Sequence, residues 1–333
     1  MLSILAVIKV ANNLNSTMKI VVLDGFTMNP GDLSWQPIHD LGNLTVFNRT
    51  APDQVLERAQ NADIILTNKV VINDSHLKKL PALKLIVVTA TGYNNVDIDM
   101  ANLLGVTVCN ATNYSTTAVA QHTFALILEL TNHCGIYSTS VHQNQWFEIH
   151  EWTYNLKSLM ELSGKTLGII GYGNIGKNVS KIALAFDMNV LVYHKHPIKE
   201  NHGIMATNLE DLIEKSDVIS LHCPLNNENK EFINKSRLEK MKPSCLLINT
   251  SRGPLINEND LLDALVNNRI AGAGLDVLSL EPPVDHHPLT KIENCIITPH
   301  RAWAAKESRE RLLNIVVKNI QAFLKGKPEN VIS

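Results

Sequence analysis

The chain has 333 residues, 45% of them hydrophobic and 19% charged, which suits a globular protein of one large or two medium-sized domains. A formal net charge of −2 excludes a protein that binds nucleic acid through bulk positive charge. The five cysteines include no Cys-x-x-Cys pair and lie mostly in apolar runs, which predicts free thiols and a cytoplasmic location.

The first segment, residues 1–17, is expected to be an extension or a disordered stretch outside the fold. Its apolar run is short, Lys9 interrupts it, and no basic segment precedes it, so it lacks the pattern of a secretory signal. The strand-like run KIVVLDG begins directly after Met18. No stretch of the chain reaches the roughly 18 apolar residues that a membrane helix needs, so we expect no membrane partner.

Predicted strands and helices alternate through the first third of the chain. The segments APDQVLERAQNA and NDSHLKKLPA are predicted helices, with Asp53 and Asp74 in their first turns, where a negative charge suits the helix dipole. The predicted strands are residues 19–25, 44–49, 63–68, 83–89 and 106–111. This alternation predicts a parallel sheet covered by helices on both faces.

A long helix is predicted from Thr116 to His133, and the residues after it, up to Ser163, show no clear periodicity. A second alternating series then begins, and a final helix is predicted from Ala304 to Lys325. The strands of this series are predicted at residues 165–171, 189–194, 217–223, 245–250, 271–278 and 295–300. The predicted fold class is therefore α/β, with two Rossmann-like or flavodoxin-like parallel-sheet domains.

The second series opens with a glycine-rich turn, GIIGYGNIG, in which Gly171, Gly173 and Gly176 form a Gly-x-Gly-x-x-Gly pattern between a strand and a helix. Glycines allow a tight turn and a close approach of the backbone to a pyrophosphate. The helix that begins at Asn174 and Ile175 supplies N–H donors at its N-terminus. The pattern predicts a dinucleotide site, with an unused glycine turn or another nucleotide, such as S-adenosylmethionine, as the alternatives.

The position of this turn suggests the division into domains. Because the final helix follows the completed second series, we expect it to pack on the first domain and to make that domain discontinuous. We assign residues 116–301 to a dinucleotide-binding Rossmann domain, and residues 18–115 with 302–333 to a substrate (catalytic) domain. Two chain connections between the domains predict a hinge and a cleft.

The end of the second strand in this series carries His194, Lys195 and His196. An NAD-binding protein usually has an acidic residue here, which binds the ribose hydroxyls. Neutral or positive side chains tolerate or attract a 2′-phosphate, which favours NADP slightly over NAD. The alternative is that these are solvated loop residues and that NAD binds.

Polar residues follow three later strands: Arg252 after CLLINTS, Glu281 in LSLEPP, and His300 at the end of CIITPH. The carboxyl ends of parallel strands share one edge of the sheet, which is also the edge of the glycine turn, so these residues can meet there. Taken singly, they could be a solvated arginine, a polar turn residue and a strand cap.

As a set, these residues predict the interconversion of a 2-keto acid and a 2-hydroxy acid. A guanidinium matches a carboxylate bidentately, so Arg252 would hold the substrate and polarise its carbonyl. A histidine exchanges protons near neutral pH, so His300 would protonate the carbonyl oxygen while a nicotinamide supplies hydride. A carboxylate beside a histidine fixes its tautomer and favours its charged form, which is the predicted role of Glu281.

From Met18 onward the chain resembles the D-isomer-specific 2-hydroxyacid dehydrogenases. The likeness rests on GIIGYGNIG, LHCPL (221–225), INTSRGPLIN, AGLDV with EPP (273–283) and TPHRAWA (298–304). It implies two domains, a homodimer formed through the nucleotide-binding domain, and Arg252, Glu281 and His300 as the catalytic residues. It places Asp276 at the nicotinamide carboxamide. The other residues that it places at the cofactor are His222, Cys223, Pro224, Thr250 and Ser251.

The N-terminal half most resembles the glycerate dehydrogenase and hydroxypyruvate reductase branch, through DGFTMNPGDLSW, LTNKVVI, ATGYNNVDID and NYSTTAVAQHTFALILEL. The resemblance implies a small substrate, hydroxypyruvate or glyoxylate, reduced to D-glycerate or glycolate. It implies substrate contacts at Thr91, Gly92 and Tyr93, the last two through backbone N–H groups that a glycine lets approach closely. The alternative for the Tyr93 side chain is a plain turn.

The sequence departs from the family pattern at two positions, and several alternative functions remain. The first departure is the missing acidic residue at His194. The second is Arg301, which stands where the family has an apolar residue and either disturbs the pocket or points outward. The rivals are a 3-phosphoglycerate dehydrogenase-like enzyme, a formate or phosphonate dehydrogenase, and a non-enzymatic NAD(H)-sensing protein like the C-terminal-binding-protein corepressors. Formate dehydrogenases have glutamine in place of Glu281. No metal is expected, since His286 and His287 lack ligand spacing.

Overall fold

The computed structural model describes residues 18–197, 203–283 and 286–332. The prediction for residues 1–17 lies outside this part of the chain. The chain divides into two compact units. Unit 1 contains the described residues up to Ser115 and from Ala304 onward, and unit 2 runs from Thr116 to Trp303.

Unit 1 is built on a five-stranded parallel sheet in the order β2-β1-β3-β4-β5. Its strands are β1 (Lys19–Val22), β2 (Asn43–Val46), β3 (Ile64–Thr67), β4 (Leu85–Val88) and β5 (Thr107–Cys109). Strands β3 and β4 are buried along their whole length, and this fits their unbroken apolar sequences, because helices cover both faces of such a sheet.

The helices predicted from APDQVLERAQNA and NDSHLKKLPA are shorter in the structure of unit 1. Its helices are α1 (Gly25–Met28), α2 (Gln36–His39), α3 (Val55–Ala59), α4 (Asp74–Leu77), α5 (Ile98–Leu103) and the C-terminal helix, numbered α13 below (Lys306–Leu324). In NDSHLKKLPA only one turn, α4, is helical. Pro81 disfavours the helical conformation of the residue before it, so the predicted helix was too long.

The C-terminal helix is fixed to unit 1 by polar as well as apolar contacts. The fully buried Asn319 donates from its side chain to the carbonyl of Asn110 at 2.9 Å. Arg309 forms a bidentate ion pair with Asp32, with nitrogen–oxygen distances of 2.6 and 2.7 Å. These pairs join residues more than 200 positions apart in sequence.

Unit 2 is built on a seven-stranded parallel sheet in the order β8-β7-β6-β9-β10-β11-β12. Its strands are β6 (Thr166–Ile170), β7 (Asn189–Tyr193), β8 (Ile204–Ala206), β9 (Val218–Leu221), β10 (Leu246–Asn249), β11 (Gly272–Leu275) and β12 (Cys295–Ile297). The strand order reverses direction between β6 and β9, and sheets of this kind bind ligands outside the carboxyl ends of their strands at that point.

The helices of unit 2 are α6 (Thr116–Asn132), α7 (Cys134–His142), α8 (Gln145–Ile149), α9 (Asn174–Ala185), α10 (Leu209–Lys215), α11 (Lys235–Leu238) and α12 (Glu258–Val266). Helix α6 packs on one face of the sheet, where Leu126 and Ile127 share a buried cluster with Ile169 and Ile248. None of the helices in the described ranges is long and apolar enough to cross a membrane.

One strand and two helices of unit 2 were not predicted. Strand β8 is a three-residue edge strand, and Met205 within it is exposed, so it has almost no apolar pattern. Residues 134–163, for which no periodicity was recognised, contain α7 and α8. Apolar side chains of this segment, among them Trp146 and Phe147, are exposed. Helical periodicity marks a buried face, and apolar residues that point outward obscure it.

Candidate active site

The glycine turn after β6 is packed against the loop that follows β9. Gly171 has a φ of +99°, a conformation that disfavours any side chain. A Cβ at this position would lie 2.5 Å from the nitrogen of Cys223 and 2.6 Å from the carbonyl carbon of His222. The fold of unit 2 therefore requires glycine here, independently of any ligand.

Gly176 and Gly173 differ in what surrounds them. A Cβ at Gly176, in the first turn of α9 behind Asn174 and Ile175, would lie 2.3 Å from the carbonyl oxygen of Gly171. At Gly173 no heavy atom lies within 4 Å of a Cβ, so packing does not explain a glycine there. Open space at a helix N-terminus fits a pyrophosphate, and this turn therefore fits a dinucleotide.

The loop after β9 supplies uncharged groups beside this turn. Burial lowers the pKa of His222 to about 3, so its ring is neutral near pH 7, and its Nε2 lies 2.8 Å from the hydroxyl of Ser220. Burial raises the pKa of the Cys223 thiol to about 11. The carbonyl of Cys223 accepts a hydrogen bond from Ser251 at 2.6 Å, and the next residue, Pro224, is exposed.

The residues at the end of β7 are held loosely. The backbone N–H of Tyr172, in the glycine turn, donates to Nδ1 of His194 at 3.2 Å. A ring nitrogen that accepts this bond carries no proton, so His194 presents a neutral ring in this arrangement. Lys195 is exposed, and its Nζ lies 3.7 Å from the exposed carboxylate of Glu228.

The end of β10 places Arg252 where the sequence suggested. The buried side chain of Asn249 closes the turn by donating to the carbonyl of Arg252 at 2.9 Å and accepting from the N–H of Ser251 at 3.0 Å. Thr250 is buried just before it. A Cβ at Gly253 would lie 1.9 Å from the carbonyl carbon of Leu278, so glycine follows the arginine because the chain after β11 passes directly against it.

The structure brings His300 and Glu281 together. Nδ1 of His300 lies 2.6 Å from Oε2 of Glu281, and both side chains are partly exposed. The other carboxylate oxygen of Glu281 accepts from the N–H of Leu278 at 3.0 Å, which fixes the orientation of the carboxylate. Because Nδ1 is engaged, Nε2 is the ring nitrogen that remains for proton exchange.

Asp276 is surrounded by donors from the loop that carries His300. Its carboxylate is 1% exposed and accepts from the hydroxyl of Thr298 at 2.6 Å, the N–H of Arg301 at 2.9 Å and the N–H of Ala302 at 2.8 Å. Burial raises the pKa of this carboxyl group, but hydrogen bonds from His122, Thr298 and the loop backbone outweigh it, so the pKa lies below its ordinary value. The predicted contact of Asp276 with a carboxamide stays a prediction.

Sequence reasoning assigned no role to His122 or Thr298, and their partners are distant in sequence. The only signal was a histidine inside an otherwise apolar helix. The side chain of Arg301 is exposed, and its effect on the pocket stays a prediction.

In unit 1 the predicted substrate residues follow β4. The hydroxyl of Thr91 donates to the carbonyl of Ala111 at 3.0 Å, Gly92 is half-buried and Tyr93 is exposed. The preceding strand, β3, ends in a loop that Asp24 holds. Its buried carboxylate accepts the N–H groups of residues 68–70 at distances from 2.6 to 3.2 Å. Sequence reasoning gave Asp24 no such role.

A cavity of about 1080 Å³ in unit 2 lies at the opposite, amino-terminal edge of the sheet, where Lys165, Ala271 and Asn294 line it. None of the predicted site residues lines this cavity. Within the residues that the structure describes, no group of three or more His, Cys, Asp or Glu side chains could hold a metal ion.

Comparison with known sequences gives a consistent picture. Residues 124–302 match the family described as D-isomer specific 2-hydroxyacid dehydrogenase, NAD binding domain. The chain is 46% identical over 321 residues to a hydroxypyruvate reductase of Blautia hydrogenotrophica, covering 95% of this chain and 100% of that relative. It is 42% identical over 318 residues to a glycerate dehydrogenase of Methylorubrum extorquens, covering 95% of this chain and 99% of the relative.

Solved structures share the fold. An acyclic imino acid reductase in complex with NADPH and D-Arg is similar with a TM-score of 0.83 and 32% sequence identity, covering 95% of this chain and 100% of that chain. The prediction of an α/β protein with two parallel-sheet domains is confirmed.

Proposed function

Because the chain belongs to the D-isomer specific 2-hydroxyacid dehydrogenase family, we propose that it reduces hydroxypyruvate or glyoxylate to D-glycerate or glycolate, reversibly and with NAD(P)H. The observation that carries this proposal is the 2.6 Å contact between His300 and Glu281, at the sheet edge that also holds the glycine turn. The family uses NAD(P), and the bound nicotinamide supplies the hydride.

His300 is the proposed proton donor. Its Nδ1 is held by Glu281, so Nε2 would give its proton to the carbonyl oxygen of the keto acid during reduction. The Glu281 carboxylate stabilises the imidazolium before transfer, and in the reverse direction His300 removes the hydroxyl proton.

Arg252 is the proposed substrate anchor, because a guanidinium binds a carboxylate with two parallel hydrogen bonds. In the structure its Nη1 donates to the carbonyl of Ser251 at 2.8 Å, which holds the side chain at the strand end. We propose that unit 1 is the substrate domain, in which Thr91, Gly92 and Tyr93 bind the substrate. Unit 2 is the proposed dinucleotide domain, in which the residues from Gly171 to Gly176, the loops after β7, β9 and β10, and Asp276 bind the cofactor.

We propose a small preference for NADP over NAD. Its support is the lack of a carboxylate in His194-Lys195-His196 and the basic side chain of Lys195. His194 is neutral in the observed hydrogen bond, and Glu228 lies near Lys195, so the expected preference is modest.

We propose that the protein is a homodimer formed through unit 2. The segment 134–163 exposes Phe147 at 77% and Trp152 at 94%, together with Trp146 and Ile149. Exposed apolar groups at this density favour burial against a second copy. Sedimentation should show a dimer that Phe147→Asp with Trp152→Asp dissociates, whereas Val266→Asp, at an exposed apolar residue elsewhere in unit 2, leaves it intact. The cytoplasmic location stays a prediction.

The test of function is a matrix of keto acids against NADH and NADPH. Hydroxypyruvate and glyoxylate should be turned over faster than pyruvate and 3-phosphohydroxypyruvate. Preference for the phosphorylated acid would indicate a 3-phosphoglycerate dehydrogenase-like enzyme instead. Negligible turnover of every acid, with intact cofactor binding, would indicate a cofactor sensor.

A further inference from the structure

The backbone at His300 is in an unusual conformation that its surroundings impose. Its φ is +47°, in the left-handed region that residues other than glycine rarely adopt. Its N–H donates to the backbone carbonyl of Asp276 at 2.8 Å, and the next two N–H groups, of Arg301 and Ala302, donate to the Asp276 carboxylate. Asp276 therefore fixes the chain on which the proposed acid is carried.

The carboxylate of Asp276 is itself fixed by side chains. A carboxylate that is 1% exposed needs hydrogen-bond donors to stay charged. Thr298 supplies one at 2.6 Å, and Nε2 of His122 lies 3.4 Å from the same oxygen, Oδ1.

The direction of these bonds follows from the number of protons available. Thr298 has one hydroxyl proton and donates it to Asp276, so towards His122, whose Nε2 is 2.9 Å away, the hydroxyl can only accept. Nε2 of His122 therefore carries a proton. The result is a continuous chain of hydrogen bonds from His122 through Thr298 to Asp276, and from Asp276 to the backbone around His300.

His122 is anchored independently of that loop. It lies on α6, whose residues Leu126, Ile127 and Leu130 are buried against the sheet of unit 2. The helix thus provides a rigid reference, 176 residues away in sequence from Thr298, for the position of the loop.

We propose that His122 and Thr298 are positioning residues that hold His300 in line with Glu281 by orienting the carboxylate of Asp276. Neither touches the reacting atoms. The proposal rests on the role of His300 as proton donor. A misplacement of a catalytic group by about 1 Å costs on the order of 100-fold in rate. Breaking the hydrogen-bond chain from His122 through Thr298 to Asp276 should therefore lower kcat.

The experiment compares variants that remove a bond with variants that keep it. His122→Leu and Thr298→Val remove the donor and the hydroxyl, respectively. His122→Gln keeps an N–H donor at nearly the same reach, and Thr298→Ser keeps the hydroxyl. Gln121→Leu, at the exposed neighbouring position of α6, is the matched control.

We expect His122→Leu and Thr298→Val to lower kcat for hydroxypyruvate reduction on the order of 10- to 100-fold, with the Kd of NADPH changed less than about twofold. His122→Gln and Thr298→Ser should recover most of the rate, and Gln121→Leu should match the wild type. Wild-type kcat in His122→Leu would overturn the proposal. So would a Gln variant as slow as the Leu variant, or a parallel loss of cofactor affinity, which would assign the chain to cofactor binding.

A second measurement separates this proposal from the proposed function. In nitrogen-15 histidine spectra, the Nδ1 proton signal of His300, identified by its loss in His300→Ala, should shift in His122→Leu and return in His122→Gln. An unshifted signal in His122→Leu overturns the positioning role. If the wild-type protein turns over none of the keto acids, the proposed function fails, while the spectra still decide whether His122 positions the ring. If His300→Ala keeps full reductase activity, His300 is not the proton donor.

Discussion

The carboxyl edge of the unit 2 sheet has two regions that differ in how firmly the protein holds their side chains. At the ends of β11 and β12, Asp276, Glu281 and His300 are joined by hydrogen bonds of 2.6 to 3.0 Å. At the end of β7, Lys195 is exposed and 3.7 Å from its partner. In the first region the side chains are preorganised by these hydrogen bonds, which suits catalysis. In the second region the side chains are free to reorient, which suits discrimination between cofactors.

The difference predicts its largest effect at His300. His300→Ala should lower kcat for keto-acid reduction roughly 10²- to 10⁴-fold, because the proton donor is lost. Steady-state kinetics with hydroxypyruvate measures this, and nicotinamide fluorescence should show unchanged binding of the reduced cofactor. A wild-type kcat in His300→Ala would show that His300 is not the proton donor. The contrast between the two regions of the sheet edge would then have no catalytic meaning.

Arg252 should show the next largest effect. Arg252→Ala should lower kcat/KM for the keto acid on the order of 100-fold, mostly through KM, because hydrogen bonds to a charged carboxylate are lost. Arg252→Lys keeps the charge but not the planar fork, and we expect it to recover only part of the loss. Full recovery by lysine would show that charge alone, without bidentate geometry, binds the substrate.

The glycine turn allows a comparison within one loop. Gly173→Ala should fold like the wild type, since its Cβ meets open space, yet weaken NADPH binding about tenfold by occupying the pyrophosphate position. Gly171→Ala should instead lower the unfolding temperature, because its Cβ would lie 2.5 Å from backbone. Calorimetry and fluorescence titration measure both. Unchanged affinity in Gly173→Ala would place the pyrophosphate elsewhere.

These contrasts also show which features the sequence could reveal. Eleven of the twelve strands in the two sheets, the glycine turn between a strand and a helix, and the family were predicted correctly, because apolar runs, glycine spacing and strand-end residues are local patterns. Strand β8 was missed because one buried side chain, Ile204, makes no pattern. The donors around Asp276 were missed because His122 and Thr298 meet it only through the folded sheet. The segment 134–163 misled the periodicity argument because many of its apolar side chains are exposed.

At the end of β7, where side chains are loosely held, substitutions should change the preference between NADH and NADPH more than they change kcat. His194→Asp should shift the ratio of kcat/KM values toward NADH by up to about fivefold, the scale of an exposed charge interaction. Kinetics with both cofactors measures the ratio, and Met205→Asp, at an exposed position of β8, is the control. An unchanged ratio in His194→Asp would show that the ribose is recognised by other residues.

The smallest effect concerns His222, in the loop after β9, which is neutral in the folded protein near pH 7. Its pKa is about 3 when folded, against an ordinary value of 6.5, so between these values the unfolded chain binds more protons. The free energy of unfolding should therefore fall as pH drops from 6.5, by at most about 1.4 kcal/mol per pH unit from this group, because the group takes up at most one proton. The carboxylates with lowered pKa values, such as Asp276, lose their stabilising effect only as the pH falls through their folded pKa, below the ordinary 3.8. Urea unfolding at pH 5 and pH 7 measures the difference in the free energy of unfolding. His222→Gln should reduce this difference, and the reduction is the contribution of His222. A slope that survives the substitution would place the proton uptake in another histidine.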